Sequence, residues 1–178
     1  MVDVGAGDGG YVLHRARTEP RTFAIAIDAS ADALTEGAWR AKRAHLRNAA
    51  FLVEGVEHLS PELSAIAHEV TVHFPWGSLL NGLVDGSPSV VRPIADLLEP
   101  NAELNVLMSA GKRDGFDELT PSVIASRREH FAEHGLLLVE ARWAPSIAVR
   151  ESRSAWAKRL GVGRVRPAVI ARYRRSAT

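Results

Sequence analysis

Short apolar runs alternate with helix-patterned stretches along nearly the whole chain, and few folds tolerate that order. Residues 1–4, 22–27, 50–53, 70–74 and 102–108 read as strands. Helical patterns occupy 10–17, Ser30 to about Arg47, 88–98 and Thr120 to Gly135, with a short turn or helix at 57–66. A helix between two strands carries the chain back to the same end of the sheet, so successive strands run parallel. Two more strands, 136–143 and 168–174, close the sequence around an insertion at 144–167 with its own helical pattern at 151–160. The expectation is a single α/β domain over 1–178. Its Rossmann-like sheet has seven strands, mostly parallel, with the last antiparallel. Ser30 and the Thr120-Pro121 pair suit helix starts, and Pro20 stops the first helix.

A chain of 178 residues with 46% apolar residues can bury a substantial core. It has no cysteine, which excludes disulfides and thiolate metal sites, and no apolar run near 18 residues. A cytoplasmic, monomeric protein without bound metal is expected. The net charge of +1 conceals an asymmetry: from Arg142 onward ten Lys/Arg face one acid, Glu151. A basic end suits contact with a polyanion, and equally a solvated last strand and tail.

The loop Gly5-Ala6-Gly7-Asp8-Gly9-Gly10 directly follows the first strand. Glycines there let backbone approach a nucleotide-like ligand. A pyrophosphate binder avoids negative charge in that loop, whereas Asp3 and Asp8 favour a cationic cofactor such as S-adenosylmethionine (SAM), with its sulfonium and ammonium. Asp28 ends the second strand, where an acid can accept both ribose hydroxyls; capping the next helix is the alternative. Glu57, in Glu54-Gly55-Val56-Glu57, adds an acid where an adenine ring would lie. Five βα units followed by two strands resemble the sheet of class I SAM-dependent methyltransferases.

After the fourth strand comes His73-Phe74-Pro75-Trp76-Gly77-Ser78-Leu79-Leu80. A proline and an aromatic at that place can grip a planar ring. The stretch contains no Asn or Asp, as suits a target such as adenine N1, whose free lone pair needs positioning rather than a general base. Trp156 lies in Ser152-Arg153-Ser154-Ala155-Trp156-Ala157-Lys158-Arg159-Leu160, inside the insertion. Two indoles could sandwich a flipped base, with Arg153, Lys158, Arg159, Arg164 and Arg166 on phosphates. Trp76 as ordinary core, and an amphipathic surface helix around Trp156, remain open alternatives. Arg40, Arg43 and Arg47 share one face of the predicted second helix, which either lies on RNA or is solvated.

The pairing of F-P-W-G-S-L-L with S-x-W-A-K-R-L resembles the aminoglycoside-resistance 16S rRNA methyltransferases that modify N1 of adenine-1408. The likeness extends to V-D-V-G-x-G-D-G, Asp28 and the run F-L-V-E-G-V-E from Phe51. It implies that Trp76 and Trp156 stack on the target adenine, and that late arginines hold rRNA of the 30S subunit. Asp3, Gly5, Gly7, Asp8, Asp28, Glu57, Phe74, Ser78 and Ser154 would then line the SAM and target pocket. Family members carry an N-terminal β-hairpin ahead of the glycine loop, whereas in this chain that loop already opens at residue 5. The polar loop 109–119 matches no motif of the family. A small-molecule methyltransferase and a SAM-binding homologue without turnover are the competing readings.

Overall fold

The computed structural model describes residues 1–159, 161–162 and 166–177. It is built on a seven-stranded sheet. Strand β1 (Val2–Val4) leads through α1 (Gly10–Thr18) to β2 (Ala24–Asp28), then through α2 (Ala31–Arg43) to β3 (Ala49–Val53). Two single 3-10 turns precede β4 (Ala67–His73), after which α3 (Gly77–Asp85) and α4 (Pro88–Leu97) run into β5 (Leu98–Met108). Helices α5 (Pro121–Ser126) and α6 (Arg128–Ala132) precede β6 (Leu136–Trp143). The insertion forms α7 (Ser146–Glu151) and α8 (Ala155–Arg159) before β7 (Val169–Arg175).

The strand order is β3-β2-β1-β4-β5-β7-β6, with β7 antiparallel to both neighbours and every other pairing parallel. That matches the expected class I methyltransferase sheet. Side chains of β1 alternate between its faces. Val2 and Val4 join the large core under α3 and α4, with Val70, Val72, Leu80, Ile94 and Leu104. On the opposite face, Met1 joins Val12, Ala16, Ala24, Ala26 and Leu34 beneath α1 and α2. A third cluster, of Phe74, Leu107, Val149, Ala157, Val162 and Ala168, fastens the insertion to the sheet.

Several expected boundaries move, for local reasons. The helix read to Arg47 ends at Arg43, and His45 takes a left-handed φ of 53°, so Arg47 is off the helix and shares no helical face with Arg40 and Arg43. The pattern from Thr120 to Gly135 is two helices, divided at Arg127. The helix α3 follows the F-P-W-G motif directly, where no helix was expected. Leu160 of the predicted insertion helix lies outside the described residues.

α3 and α4 pack tightly at one glycine. A Cβ on Gly82 would lie 2.4 Å from Val90 Cγ2 and 2.8 Å from its Cβ. Overpacking of a filled core costs about 1–3 kcal/mol. Gly82→Ala is therefore expected to lower unfolding stability by that order in urea denaturation, and unchanged stability would contradict this packing.

Candidate cofactor and target site

The ends of β1, β2 and β4 meet at one edge of the sheet. Leaving β1, Gly5 and Gly7 take φ of 70° and 56°, a left-handed region open to glycine at little cost. The Gly5 and Ala6 N–H groups donate to the carbonyl of Ile27 at 2.8 and 3.0 Å. Gly7 N–H donates to Asp28 Oδ2, and Ser30 N–H to Asp28 Oδ1, both at 2.8 Å. One carboxylate thus clamps the glycine loop to the entrance of α2, where the Ser30 hydroxyl caps the helix. Each carboxylate oxygen can accept two hydrogen bonds, so Asp28 keeps capacity for ribose hydroxyls.

Two adjoining cavities open here, both bounded by Gly5, Asp28 and Trp76. One, of about 230 Å³, is also lined by Glu54, Val56, Glu57, Pro75 and Ser78. The other, of about 420 Å³, lies between the glycine loop, His73, Phe74 and the insertion residues Ser152, Arg153, Ser154 and Trp156.

Trp76 and Trp156 face each other across the second cavity, with ring centroids 6.2 Å apart and planes tilted by 34°. Trp76 is 71% exposed, so the ordinary-core reading fails for it, and Trp156, 40% exposed, is not buried by an amphipathic α8. Each follows a strained turn. Phe74 has φ of 52° and Arg153 of 55°, conformations that cost a non-glycine residue about 1–3 kcal/mol. The Phe74 ring is buried in the insertion cluster, so its part in the cavity is to anchor the wall.

Other expected site residues have more local occupations. Asp3 is buried within the sheet and does not line either cavity; its Oδ1 accepts the Thr71 hydroxyl at 2.7 Å. Asp8 accepts Arg40 Nη1 at 2.9 Å and the Gly10 N–H at 3.2 Å, so Arg40 folds onto the loop. The Ser154 hydroxyl accepts the Ala157 N–H at the start of α8. Ser78 lies exposed in the first turn of α3. Arg166 is tied to Asp114, joining the insertion to the 109–119 loop. Arg164 lies outside the described residues. Arg43, Arg47, Arg153, Lys158 and Arg159 are exposed and have no acidic partner among the described residues. Much of the remaining basic C-terminal charge is matched along the sheet, by Arg142 and Arg172 with Glu140, and Arg174 with Glu103.

No role was expected for His73 or Tyr11, which both line the larger cavity. The signal was present: residues 69, 71 and 73 are polar at alternate positions between Val70, Val72 and Phe74. That period places Glu69, Thr71 and His73 on one face of β4, under α1. Tyr11 meets the His73 ring edge-on at 4.4 Å. Arg15 reaches the Tyr11 hydroxyl at 2.8 Å and Glu69 at 2.8 Å. Burial holds the His73 imidazole down at about 4, with Arg15 adding to the effect. Burial also pushes the Asp3 carboxyl up to about 7, against the bond from Thr71. The two groups, 3.8 Å apart, are therefore a neutral histidine beside a proton-holding acid below neutrality, and not an ion pair there.

A glycine loop clamped by the acid at the end of the second strand, on a sheet of this order, defines a SAM-dependent methyltransferase. The donor set fits the cofactor, since Asp28 has free acceptor capacity and Glu57 stands beside an apolar wall of Val56 and Leu79. A family model described as 16S rRNA (adenine(1408)-N(1))-methyltransferase matches residues 1–174, and the chain belongs to that family. The Streptoalloteichus tenebrarius enzyme of that description is 30% identical over 96% of this chain and 84% of its own length. The Escherichia coli enzyme is 26% identical over 93% and 82%. A tryptophan variant of the Catenulisporales acidiphilia enzyme, crystallised with cosubstrate SAM, superposes with a TM-score of 0.89 at 26% identity, covering 98% of this chain and 84% of that one. The 16S rRNA methyltransferase KamB gives 0.84 at 28% identity, covering 98% and 86%.

The buried acid generates a test with a definite sign. Folding raises the Asp3 pKa from 3.8 to about 7, so its neutral form suits the fold. Its contribution is fully present below 3.8 and is lost as pH rises through about 7. Asp3→Asn is thus expected to be more stable than the natural chain at pH 8, by an amount on the order of a few kcal/mol. That advantage should fade toward pH 4; calorimetric scans across pH that show a constant offset would refute the assignment.

Proposed function

We propose that this enzyme methylates N1 of adenine-1408 in 16S rRNA of the 30S subunit, as a cytoplasmic monomer built from one domain with a substrate-facing insertion. The observation that carries the reading is the pair of exposed indoles facing each other over the cavity bounded by the glycine loop and Asp28. A planar ring between two others needs about 7 Å, twice a van der Waals spacing. The observed 6.2 Å is close to that, and a small outward shift with levelling of the 34° tilt makes room for one base. Family membership and the names of the relatives support the target.

Asp28 would hold the ribose of SAM, with Gly5 and Gly7 admitting the cofactor against backbone, and Glu57 and Ser78 bordering the adenosine side. SAM, when bound, supplies the electrophilic methyl of its sulfonium. Trp76 and Trp156 hold the adenine and fix its edge toward that methyl. The N1 lone pair needs no proton removed, so positioning is the main demand on the protein. Arg43, Arg47, Arg153, Lys158 and Arg159, which lack an acidic partner among the described residues, are the cations placed for phosphate contacts, and aminoglycoside resistance would follow from the modification. The described helices include none long and apolar enough to cross a membrane.

Primer extension on 16S rRNA from cells expressing the chain tests the target. The expected result is a stop at adenine-1408, weakened about 10- to 100-fold in transfer rate by Trp76→Ala or Trp156→Ala, given about 1–3 kcal/mol of stacking per base. Methyl transfer to small molecules alone, or SAM binding without any transfer, would overturn the reading. Asp28→Ala should weaken SAM binding in calorimetry at least tenfold, because it removes ribose acceptors and releases the loop.

A further inference from the structure

Most polar side chains around the larger cavity already make hydrogen bonds within the protein, although Asp28 keeps spare acceptor capacity and Glu36, among the described residues, meets only Arg40 at 3.8 Å. Both oxygens of Asp28 hold backbone N–H groups, and Asp8 holds Arg40 and Gly10. The Tyr11 hydroxyl accepts Arg15. The hydroxyls of Ser30 and Ser154 cap helices, and that of Ser152 bonds the Val149 carbonyl and the Ser154 N–H. His73 differs. Its side chain lines this cavity without a hydrogen bond among the described residues, and of its two ring nitrogens only Nδ1 is sealed off. Nδ1 is turned toward Asp3 Oδ1, 3.8 Å away, which leaves Nε2 as the nitrogen open to the cavity.

Adenine presents two groups side by side on its pairing edge, the N1 lone pair and the 6-amino donor. We infer that His73 Nε2 accepts a hydrogen bond from the 6-amino group of the target adenine, with the Asp3 carboxylate, 3.8 Å from Nδ1, favouring the proton on that nitrogen so that Nε2 is the bare one. This rests on the adenine-N1 reading above and adds to it a catalytic residue that also selects the base. Transfer of the methyl carbon to N1 breaks its bond to the cofactor sulfur and leaves the ring positively charged. The 6-amino protons then become more acidic, so a bond to Nε2 is stronger in the transition state than before it. Guanine places a carbonyl oxygen where adenine has its amino group, and two acceptors facing each other repel.

The required tautomer depends on Asp3. When Asp3 carries its proton, the negative charge that favours a proton on Nδ1 is gone, and the imidazole hydrogen can sit on Nε2, facing the wrong way for an amino donor. When Asp3 is ionised, Nδ1–H points to it and Nε2 is free to accept. The groups that set this balance are Arg15 from α1, Glu69 and Thr71 from β4, and Asp28 at the end of β2, with Tyr11 packed edge-on against the imidazole. The acid titrates at about 7, so transfer should rise with pH through that value.

The test measures methyl transfer to 30S subunits by the full chain and by His73→Gln and His73→Phe, at pH 6 to 9, with SAM affinity by calorimetry and folding by thermal melting. His73→Phe is expected to lower the transfer rate about 10- to 100-fold while SAM affinity stays within about twofold. His73→Gln, which keeps an acceptor, should recover part of the rate but lose the rise through neutrality. If His73→Phe does not fold, the pH profile of His73→Gln decides alone: an unchanged rise overturns the inference. So does a His73→Phe rate within about twofold of the natural chain, or a loss of SAM affinity parallel to the loss of rate. Absence of transfer to adenine-1408 by the natural chain would instead overturn the function on which the inference rests.

Discussion

Three residues, Val2–Val4, form an interior strand of a seven-stranded sheet, paired in parallel on both sides. The glycine-loop side of the site takes its position from that short strand. The register sets Asp3 beside Thr71 on β4 and beside Ala26 on β2, and it delivers Gly5 to the carbonyl of Ile27. The glycine loop can then be clamped by Asp28. A slip of one residue would turn Asp3 into the apolar core beneath α3 and α4 and expose Val2 and Val4 to the polar seam under α1. With so few residues, the strand depends on its neighbours rather than on its own length.

Most strands were readable because apolar periodicity survives in the sequence wherever one face of a strand is buried, and the kind of sheet followed from the resemblance to class I methyltransferases; the spatial order of the strands came only with the structure. What was lost followed from interactions between distant segments. The α2 helix was drawn too long because Ala44–Arg47 keeps helical composition, whereas the chain turns at His45 to reach β3. The start of β4 was missed since His68 and Glu69 look like turn residues; their burial or exposure depends on α1 and β5 lying alongside. Both indole motifs were legible, and so was Asp28, because these residues are unusual for their places. Asp3, Asp8 and Arg40 were legible as charges but not in their partners, since an ion pair across 32 residues leaves no local trace.

The seam of Asp3, Thr71, His73, Glu69, Tyr11 and Arg15 is costly for a fold, since charged and polar groups under a helix need complete pairing. Most of it is paired. The exception is the imidazole at the end nearest the cavity, and that is where the fold gives up satisfaction. Behind the opposite wall, the Phe74 ring secures the insertion to the sheet with Val149, Ala157 and Val162. The two walls are thus supported differently: one by hydrogen bonds beneath the glycine loop, the other by apolar packing.

The spacing of the two indoles has a consequence for what can enter. On the proposed reading, a slot opened to one ring's thickness would admit a lone base edge-first and turn away a base that remains stacked or paired with a neighbour. On that reading the protein would do no melting within the slot. Separation of the base, which costs a few kcal/mol in a duplex, has to come from strain already present in the folded RNA or from contacts made well outside the slot. On that view the tryptophans act as a gauge of how far a nucleotide has already left its helix, and recognition is a measurement of shape made before any chemistry begins.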